Sequence, residues 1–279
     1  MRSSNEITEV ELHEFLDCPA RKLCPLRDIC ASEDERTKRL IYPKVLKVSR
    51  GDRLWTSHYA EDRVLIFRRG VFLAIGHSNQ GREVPFCLYG TGNSAGFSDM
   101  FTVEGIRDTY HVRTLLKGEV CSFSADMVKK QLNRLPNEYV QSLAISTLVS
   151  QCAGAFSISV IKNQKSLTDK ITALLYCFND LTSRTGAGET VFNITHEDIA
   201  SIVGADRTAT TRVLHKLSIE RVIDMKYGNV TMLPESLSDP NKKREFHTNL
   251  ILSKDLIEVK EEMIKNQRDF DYGSSSEVF

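Results

Sequence analysis

The stretch from Ile194 to Leu217, ITHEDIASIVGADRTATTRVLHKL, constrains the fold more than any other in the chain. Thr195 with Asp198 three residues on has the hydroxyl-x-x-acid form of a helix N-terminus, in which the hydroxyl accepts a backbone N–H and the carboxylate reaches back. Ile199 and Val203 follow one turn apart, Ala200 is small enough for close helix approach, and Gly204 supplies the left-handed residue that ends a helix. The chain turns at Gly204-Ala205, and Asp206 then caps a second helix opening at Arg207. At about 100° per residue, Ala209, Val213 and Leu217 fall on its inner arc, with Thr210 and Leu214 at the margin. Arg207, Thr208, Thr211 and Arg212 share the outer arc. Long donors beside short hydroxyls suit guanine edges and phosphates, so this face has the chemistry of a helix that reads DNA.

Val222 to Met232, VIDMKYGNVTM, alternates apolar residues around Gly228-Asn229, the signal for a hairpin with a two-residue turn. A helix-turn-helix followed by a hairpin is a winged helix. The segment resembles the CRP/FNR family of bacterial transcription regulators. Ile199-Ala200, Gly204, Arg207, Arg212 and Leu217 match that family's Ile-Ala pair, Gly turn, Arg at the start of the recognition helix, later Arg, and Leu before the wing. Thr208 and Thr210 depart from it, since many members carry Glu and Val there, and the target sequence is left open. The resemblance implies an α+β chain: an N-terminal β-roll sensor domain of the cyclic-nucleotide-binding-like kind, a long dimerisation helix, and a C-terminal winged helix-turn-helix domain. It also implies palindromic double-stranded promoter DNA bound by a homodimer, with RNA polymerase as a further partner. The expected DNA contacts are Arg212 and Thr208 on bases, Arg207 and the wing residue Lys226 on phosphates, and Thr211 beside them.

The chain has 279 residues, enough for about two domains, and its 41% apolar content supports packed cores. Net charge is zero, so any attraction to nucleic acid must be local. Between Arg207 and Lys226 the cations Arg207, Arg212, Lys216, Arg221 and Lys226 outnumber Glu220 and Asp224. The opening MRSSNEITEVELHEF lacks the apolar core of a secretory signal, which predicts a cytoplasmic protein. Val140 to Ile161 carries no charge and is about long enough to span a bilayer, but Ser142, Ser146, Thr147, Ser150, Gln151, Ser157 and Ser159 argue against insertion. Within it, Ile145, Val149, Cys152 and Phe156 recur at coiled-coil spacing and predict a dimer seam rather than a membrane span.

Five regions follow. Residues 1–41 form a cysteine-bearing arm with a helix from Ser32 to Ile41. Residues 42–136 form the β-roll, from apolar runs at Val45–Val48, Val64–Phe67, Val71–Ile75, Pro85–Tyr89, Tyr110–Leu116 and Glu119–Phe123, closed by a helix from Ala125 to Leu135 that Pro136 stops. The dimerisation helix takes residues 137–164. Residues 165–235 form the winged domain, opened by an amphipathic helix from Lys165 to Leu181 that turns Ile171, Leu174, Leu175 and Phe178 to one side. Residues 236–279 are an extension with a charged helix, Ser253 to Gln267, and a disordered end.

Seven cysteines in a reducing compartment are not a disulfide framework. Cys18, Cys24 and Cys30 stand at five-residue gaps in a polar, flexible arm, with His13 the one histidine near them. Taken alone they admit a metal cluster, inert thiols or a disulfide switch. The resemblance to the oxygen-sensing FNR branch implies a [4Fe-4S] cluster with Cys121 as the remote ligand, oxygen destroying the cluster and so the dimer, although that branch has a closer first pair. Cys87, Cys152 and Cys177 are expected in the core, and His58, His77 and His111 as surface or satisfied residues. The nucleotide-binding members carry a Gly-Glu-Leu turn, then Arg followed by a small hydroxyl residue. Here GTGNSAGFSDMFTVEGIRDTYHV lacks that turn and Asp108 follows Arg107, so no cAMP binding is expected. Gating by a small organic effector without iron, or a protein-binding regulator that has lost DNA binding, are the alternatives. The chain shows no H-x-H pair, nucleophile elbow or phosphate loop, which predicts that it is not an enzyme.

Overall fold

Two glycines set the shape of the N-terminal sheet. The computed structural model describes residues 7–9, 18–30, 43–54, 62–97, 110–183, 191–226 and 229–233. Its larger sheet comprises β1 (Ile7–Glu9), β2 (Lys44–Val48), β3 (Arg53–Leu54), β4 (Arg63–His77), β5 (Glu83–Tyr89), β6 (Ser94–Ala95) and β7 (His111–Ser124). The order is β1-β2-β7-β4-β5, with β3 also on β7 and β6 on β4, all antiparallel. The runs Val64–Phe67 and Val71–Ile75, expected as two strands, are one strand, and so are Tyr110–Leu116 and Glu119–Phe123. Gly70 sits at φ +101°, and a Cβ on Gly118 would lie 2.1 Å from the Arg69 carbonyl oxygen. The two backbones therefore touch where β4 and β7 cross, and the register of β4 shifts between Phe67 and Phe72. A glycine inside an apolar run marks close backbone approach here, not a turn.

Bent at this point, the sheet folds over its own interior. β7 pairs with β3 before the bend and with β2 from it onward, while β4 pairs with β6 first and with β5 afterwards. Phe67 stacks on Phe72 at 4.4 Å and on Tyr89 at 5.1 Å, with Leu46, Leu65 and Val120 around them. This is the expected roll, filled with aromatic side chains.

The helices are α1 (Arg27–Cys30), α2 (Ala125–Leu132), α3 (Asn137–Lys162), α4 (Leu167–Ser183), α5 (His196–Val203) and α6 (Arg207–Ile219). α3 buries Leu143, Thr147, Gly154, Ile158 and Ile161. Lys162 Nζ donates to the Pro85 carbonyl at 3.2 Å, fixing the end of α3 to β5. On its other face Ile145, Leu148 and Phe156 are 53, 50 and 44% exposed, beside exposed Cys152. By length and composition α3 is apolar enough to cross a membrane. In the fold one side of it packs on the sheet; of the residues predicted for a dimer seam, Ile145, Cys152 and Phe156 are exposed and Val149 is half-buried.

α4 buries every residue from Ile171 to Phe178, as its periodicity predicts. These side chains share one core with Leu73, Ile75 and Leu88 of the sheet, Ile158 of α3, and Ile199, Leu214 and Val230 of the C-terminal domain. The expected helix from Ser32 to Ile41 and the extension from residue 236 lie outside the described residues, as do His13, His58, Arg107 and Asp108.

Candidate DNA interface and thiol site

Both helix starts in the reading unit are held by the residues that predicted them. Thr195 Oγ1 accepts from the Asp198 N–H at 3.0 Å and donates to Asp198 Oδ2 at 2.6 Å, so the carboxylate binds the capping hydroxyl itself. α5 stops at Gly204, at φ 70° and ψ 42°, and Asp206 Oδ1 accepts from the Ala209 N–H at 2.8 Å to open α6. The buried stripe of α6 is Thr210, Leu214 and Leu217, while Ala209 and Val213 are half-buried. The face is rotated by one residue from the expected arc, because helical side chains lean toward the N-terminus and cover the turn before their own Cα. Thr210 thus belongs to the interior, and its departure from the family pattern has no direct bearing on the DNA-facing side.

Arg207, Thr208, Thr211 and Arg212 are all exposed on one side of α6. Thr211 is already engaged: its hydroxyl donates to the Arg207 carbonyl at 2.9 Å and meets His196 Nδ1 at 2.9 Å. A His196 tautomer protonated at Nδ1 would complete this pair, with the hydroxyl accepting from the ring. His196 opens α5 and ties it to the outer face of α6; sequence reasoning missed it, having no pattern to single it out. Burial, and then the Arg207 charge, lower its pKa.

The wing pairs β9 (Ile223–Lys226) with β10 (Asn229–Met232), Lys226 opposite Asn229. Asn229 is therefore in the strand and not in the turn, one residue off the expected position. β8 (Val191–Phe192) adds a third strand, Phe192 opposite Val230, too short to show a period in sequence. Lys226 is exposed and paired with Asp224 at 2.9 Å.

At the far end of the sheet residues 18–30 of the arm are anchored on the sheet. Leu26 is wholly buried against Val45, Val64, Ile66, Phe97 and Cys121, with Cys24 and Cys30 packed on the same cluster. Backbone bonds from Cys24 N to Ala20 O and from Cys30 N to Leu26 O wind the three arm cysteines around that anchor. Burial, then Cys24, with Cys18 and Cys30 adding, push the Cys121 thiol well up, against the opposing Arg68 charge. Burial, Cys24 and Cys18 do the same to Cys30. All four candidate thiols therefore share one electrostatic neighbourhood. Among the described residues no group of three or more His, Cys, Asp or Glu is arranged to hold a metal ion. Of the other cysteines, Cys87 and Cys177 are buried as expected, and Cys152 is not: it faces out from the α3 seam. His77 is exposed and His111 is buried.

Between the two ends runs a polar bridge. Arg53 Nη2 lies 3.0 Å from Glu83 Oε1, Arg113 Nη1 lies 3.7 Å from Glu83 Oε2, and Arg113 Nη2 lies 3.3 Å from Asp198 Oδ1. Arg50 Nη1 donates to Asn193 Oδ1 at 3.1 Å. The capping carboxylate of α5 is thereby bound to the sheet.

Residues 171–236 match the family model of the Crp-like helix-turn-helix domain. Solved structures share the architecture beyond that domain. A CRP-family transcriptional regulator of Thermus thermophilus superposes with TM-score 0.55 at 16% identity, over 72% of this chain and 96% of its own. A CRP/FNR-family protein of Eubacterium rectale gives 0.56 at 17%, over 82% and 98%. The c-di-GMP-responsive global regulator CLP of Xanthomonas campestris gives 0.54 at 16%, over 71% and 96%. No curated protein sequence matches the chain. The molecule thus has the fold of the CRP/FNR regulators and carries a Crp-like helix-turn-helix domain.

Proposed function

We propose that the protein is a DNA-binding transcription regulator of the CRP/FNR family, acting as a homodimer in the cytosol and sensing through an iron–sulfur centre on Cys18, Cys24, Cys30 and Cys121. The observation that carries the DNA-binding part is the exposed face Arg207, Thr208 and Arg212 on a capped helix whose opposite face is core. Two copies joined along α3 present two such helices. Only arrangements that set them about 34 Å apart, one turn of DNA, fit a palindromic site. Arg212 and Thr208 read bases, while Arg207 and Lys226 hold phosphates, Lys226 exchanging Asp224 for the backbone. Thr211 serves by orienting α5 on α6. Contact with RNA polymerase belongs to the same reading.

What supports the sensing part is that Cys24, Cys18 and Cys30 all act electrostatically on the Cys121 thiol, although among the described residues they form no group able to hold a metal ion. All four are soft donors, three of them half-exposed, and four cysteines are the usual ligand set of a [4Fe-4S] centre. When bound, such a centre supplies an oxygen-labile link between arm and sheet. The arm's anchor, Leu26, shares its cluster with Leu143 of α3, which connects the order of the arm to the dimer helix.

Binding titrations over a range of salt test the interface. Arg212→Ala is expected to cut discrimination between cognate and random DNA about 10- to 100-fold, as loss of one bidentate base contact does. Lys226→Ala should weaken both equally and lower the salt slope by about one. Equal losses on cognate and random DNA for Arg212→Ala would remove the base-reading role. For the sensor, anaerobic purification should yield iron and acid-labile sulfide, about four of each per chain. Colourless, iron-free protein that binds DNA only with an added small molecule would favour the effector reading instead.

A further inference from the structure

On the outer side of α6, Thr211 stands between a residue that carries charge and one that can acquire it. Its hydroxyl donates to the Arg207 carbonyl at 2.9 Å and meets His196 Nδ1 at 2.9 Å, so Arg207 and the imidazole that opens α5 share one hydroxyl. With Nδ1 protonated, ring and hydroxyl are both satisfied there and Nε2 keeps its lone pair. A second proton goes to Nε2 and adds a positive charge without breaking either bond. The ring is half-buried. Of the charged residues beside it, Arg207 and Asp206 lie at the start of α6, where Asp206 accepts from the Ala209 N–H. On its own helix Glu197 is exposed, and Asp198 is committed to the Thr195 hydroxyl and to Arg113 of β7.

We propose that His196 is a further, proton-gated contact of the DNA interface: in its imidazolium form it shares a backbone phosphate with Arg207, so that binding DNA takes up a proton. This rests on the DNA-binding reading above. In the free protein a charged ring would add to the Arg207 charge with no anion between them. Burial and that charge hold the free ring below its ordinary 6.5. A phosphate brought to Arg207 reverses the sign, since an anion beside two cations favours both. The ring therefore titrates at a higher pH in the complex than in the free protein. By linkage, affinity rises as the pH falls through the gap between those two values and is flat above it. The contact is to the backbone and carries no sequence information, so the gain is the same on any duplex.

Full-length protein and the variants His196→Gln, His196→Arg and the exposed control His215→Gln are titrated with two duplexes of about 30 base pairs and unrelated mixed sequence, over a range of salt, at pH about 8 and about 6. The parent should bind both duplexes about fivefold more tightly at the lower pH, with a salt slope larger by up to about 0.9. His196→Gln keeps a donor for Thr211 but cannot take the proton, so its affinity should be the same at both pH values. His196→Arg carries the charge permanently; it should also be insensitive to pH and should show the larger slope throughout. His215→Gln should keep the gain of the parent. The assignment is overturned if the affinity of the parent is flat or falls on acidification, if its gain differs between the duplexes, if the gain survives in His196→Gln, or if it is lost in His215→Gln. Should His196→Gln fail to fold, His196→Arg decides it: a remaining pH dependence overturns the assignment. A parent that binds DNA equally at both pH values removes this assignment and leaves the DNA-binding reading standing, whereas one that binds neither duplex at either pH overturns the two together.

Discussion

Thr210 is wholly buried on α6, and its hydroxyl finds no partner. Its γ-methyl packs as valine would, but the hydroxyl gives up water and gains nothing. Thr210→Val keeps the shape and removes that cost, so it is expected to stabilise the fold by about 1 kcal/mol, read as a higher urea midpoint at unchanged m-value. DNA discrimination should not change, since the substitution lies opposite Arg207 and Arg212. A loss of discrimination would show that the inner side of α6 also sets specificity. The histidines give a pH dependence. Burial and then Arg53 lower the pKa of His111 from its ordinary 6.5, with His77 and Arg113 adding and Glu83 opposing. Burial and Arg207 lower His196 from the same value. The unfolded chain therefore binds protons at a higher pH than the folded one. Stability from these groups is full above about 6.5, falls as the pH drops below it, and levels off once the folded imidazoles protonate too. Urea midpoints at pH about 7.5 and about 5.5 should differ in that direction, and His196→Gln should narrow the gap.

At the scale of elements, α3 makes the clearest demand on a partner. Ile145, Leu148 and Phe156 are exposed together on a helix whose other face is committed to the sheet, and water is a poor neighbour for that stripe. Phe156→Asp is expected to give a monomer by sedimentation and to abolish binding to a palindromic site while leaving the thermal unfolding of the chain nearly intact. Cys152 faces out of the same seam, so mild oxidation should cross-link two parent chains there and should not cross-link Cys152→Ser. A Phe156→Asp dimer would remove α3 as the interface. The bounds of α3, the caps at Thr195 and Asp206, and the apolar side of α4 were legible because each is written in neighbouring residues. The continuity of β4 and β7 was not, since an interior glycine reads as a turn until its opposite number, Gly118 for Gly70, is known. Nor were β3, β6 and β8, two residues each, which exist only through their pairing. In the thiol site the arm cysteines announced themselves by spacing and Cys121 by resemblance.

For the whole molecule the governing fact is that the sheet, α3 and the helix-turn-helix share one core. Cys24 and Cys30 of the arm and Cys121 lie on a separate cluster with Leu143 of α3, outside that shared core. The polar route runs beside the apolar one and is sharper. Asp198 uses Oδ2 to accept from the hydroxyl that caps α5 and Oδ1 to meet Arg113, whose other nitrogen reaches Glu83 on β5. One carboxylate thus sets the start of the helix that supports α6 and binds it to the sheet. The pair is only partly exposed, at 18 and 17%, so its attraction is less screened than that of a surface pair. A double-mutant cycle with Arg113→Met and Asp198→Asn should show a coupling of about 1 kcal/mol in chemical denaturation. Arg113→Met alone should also raise hydrogen exchange at the start of α5, where Asp198 would keep its bond to Thr195 but lose its hold on β7. If the bridge carries orientation as well as stability, Arg113→Met lowers affinity for cognate DNA while salt dependence stays as it was, because no phosphate contact is lost. A coupling of zero, with exchange at α5 unchanged, would leave the shared apolar core as the connection between the N-terminal sheet and α6.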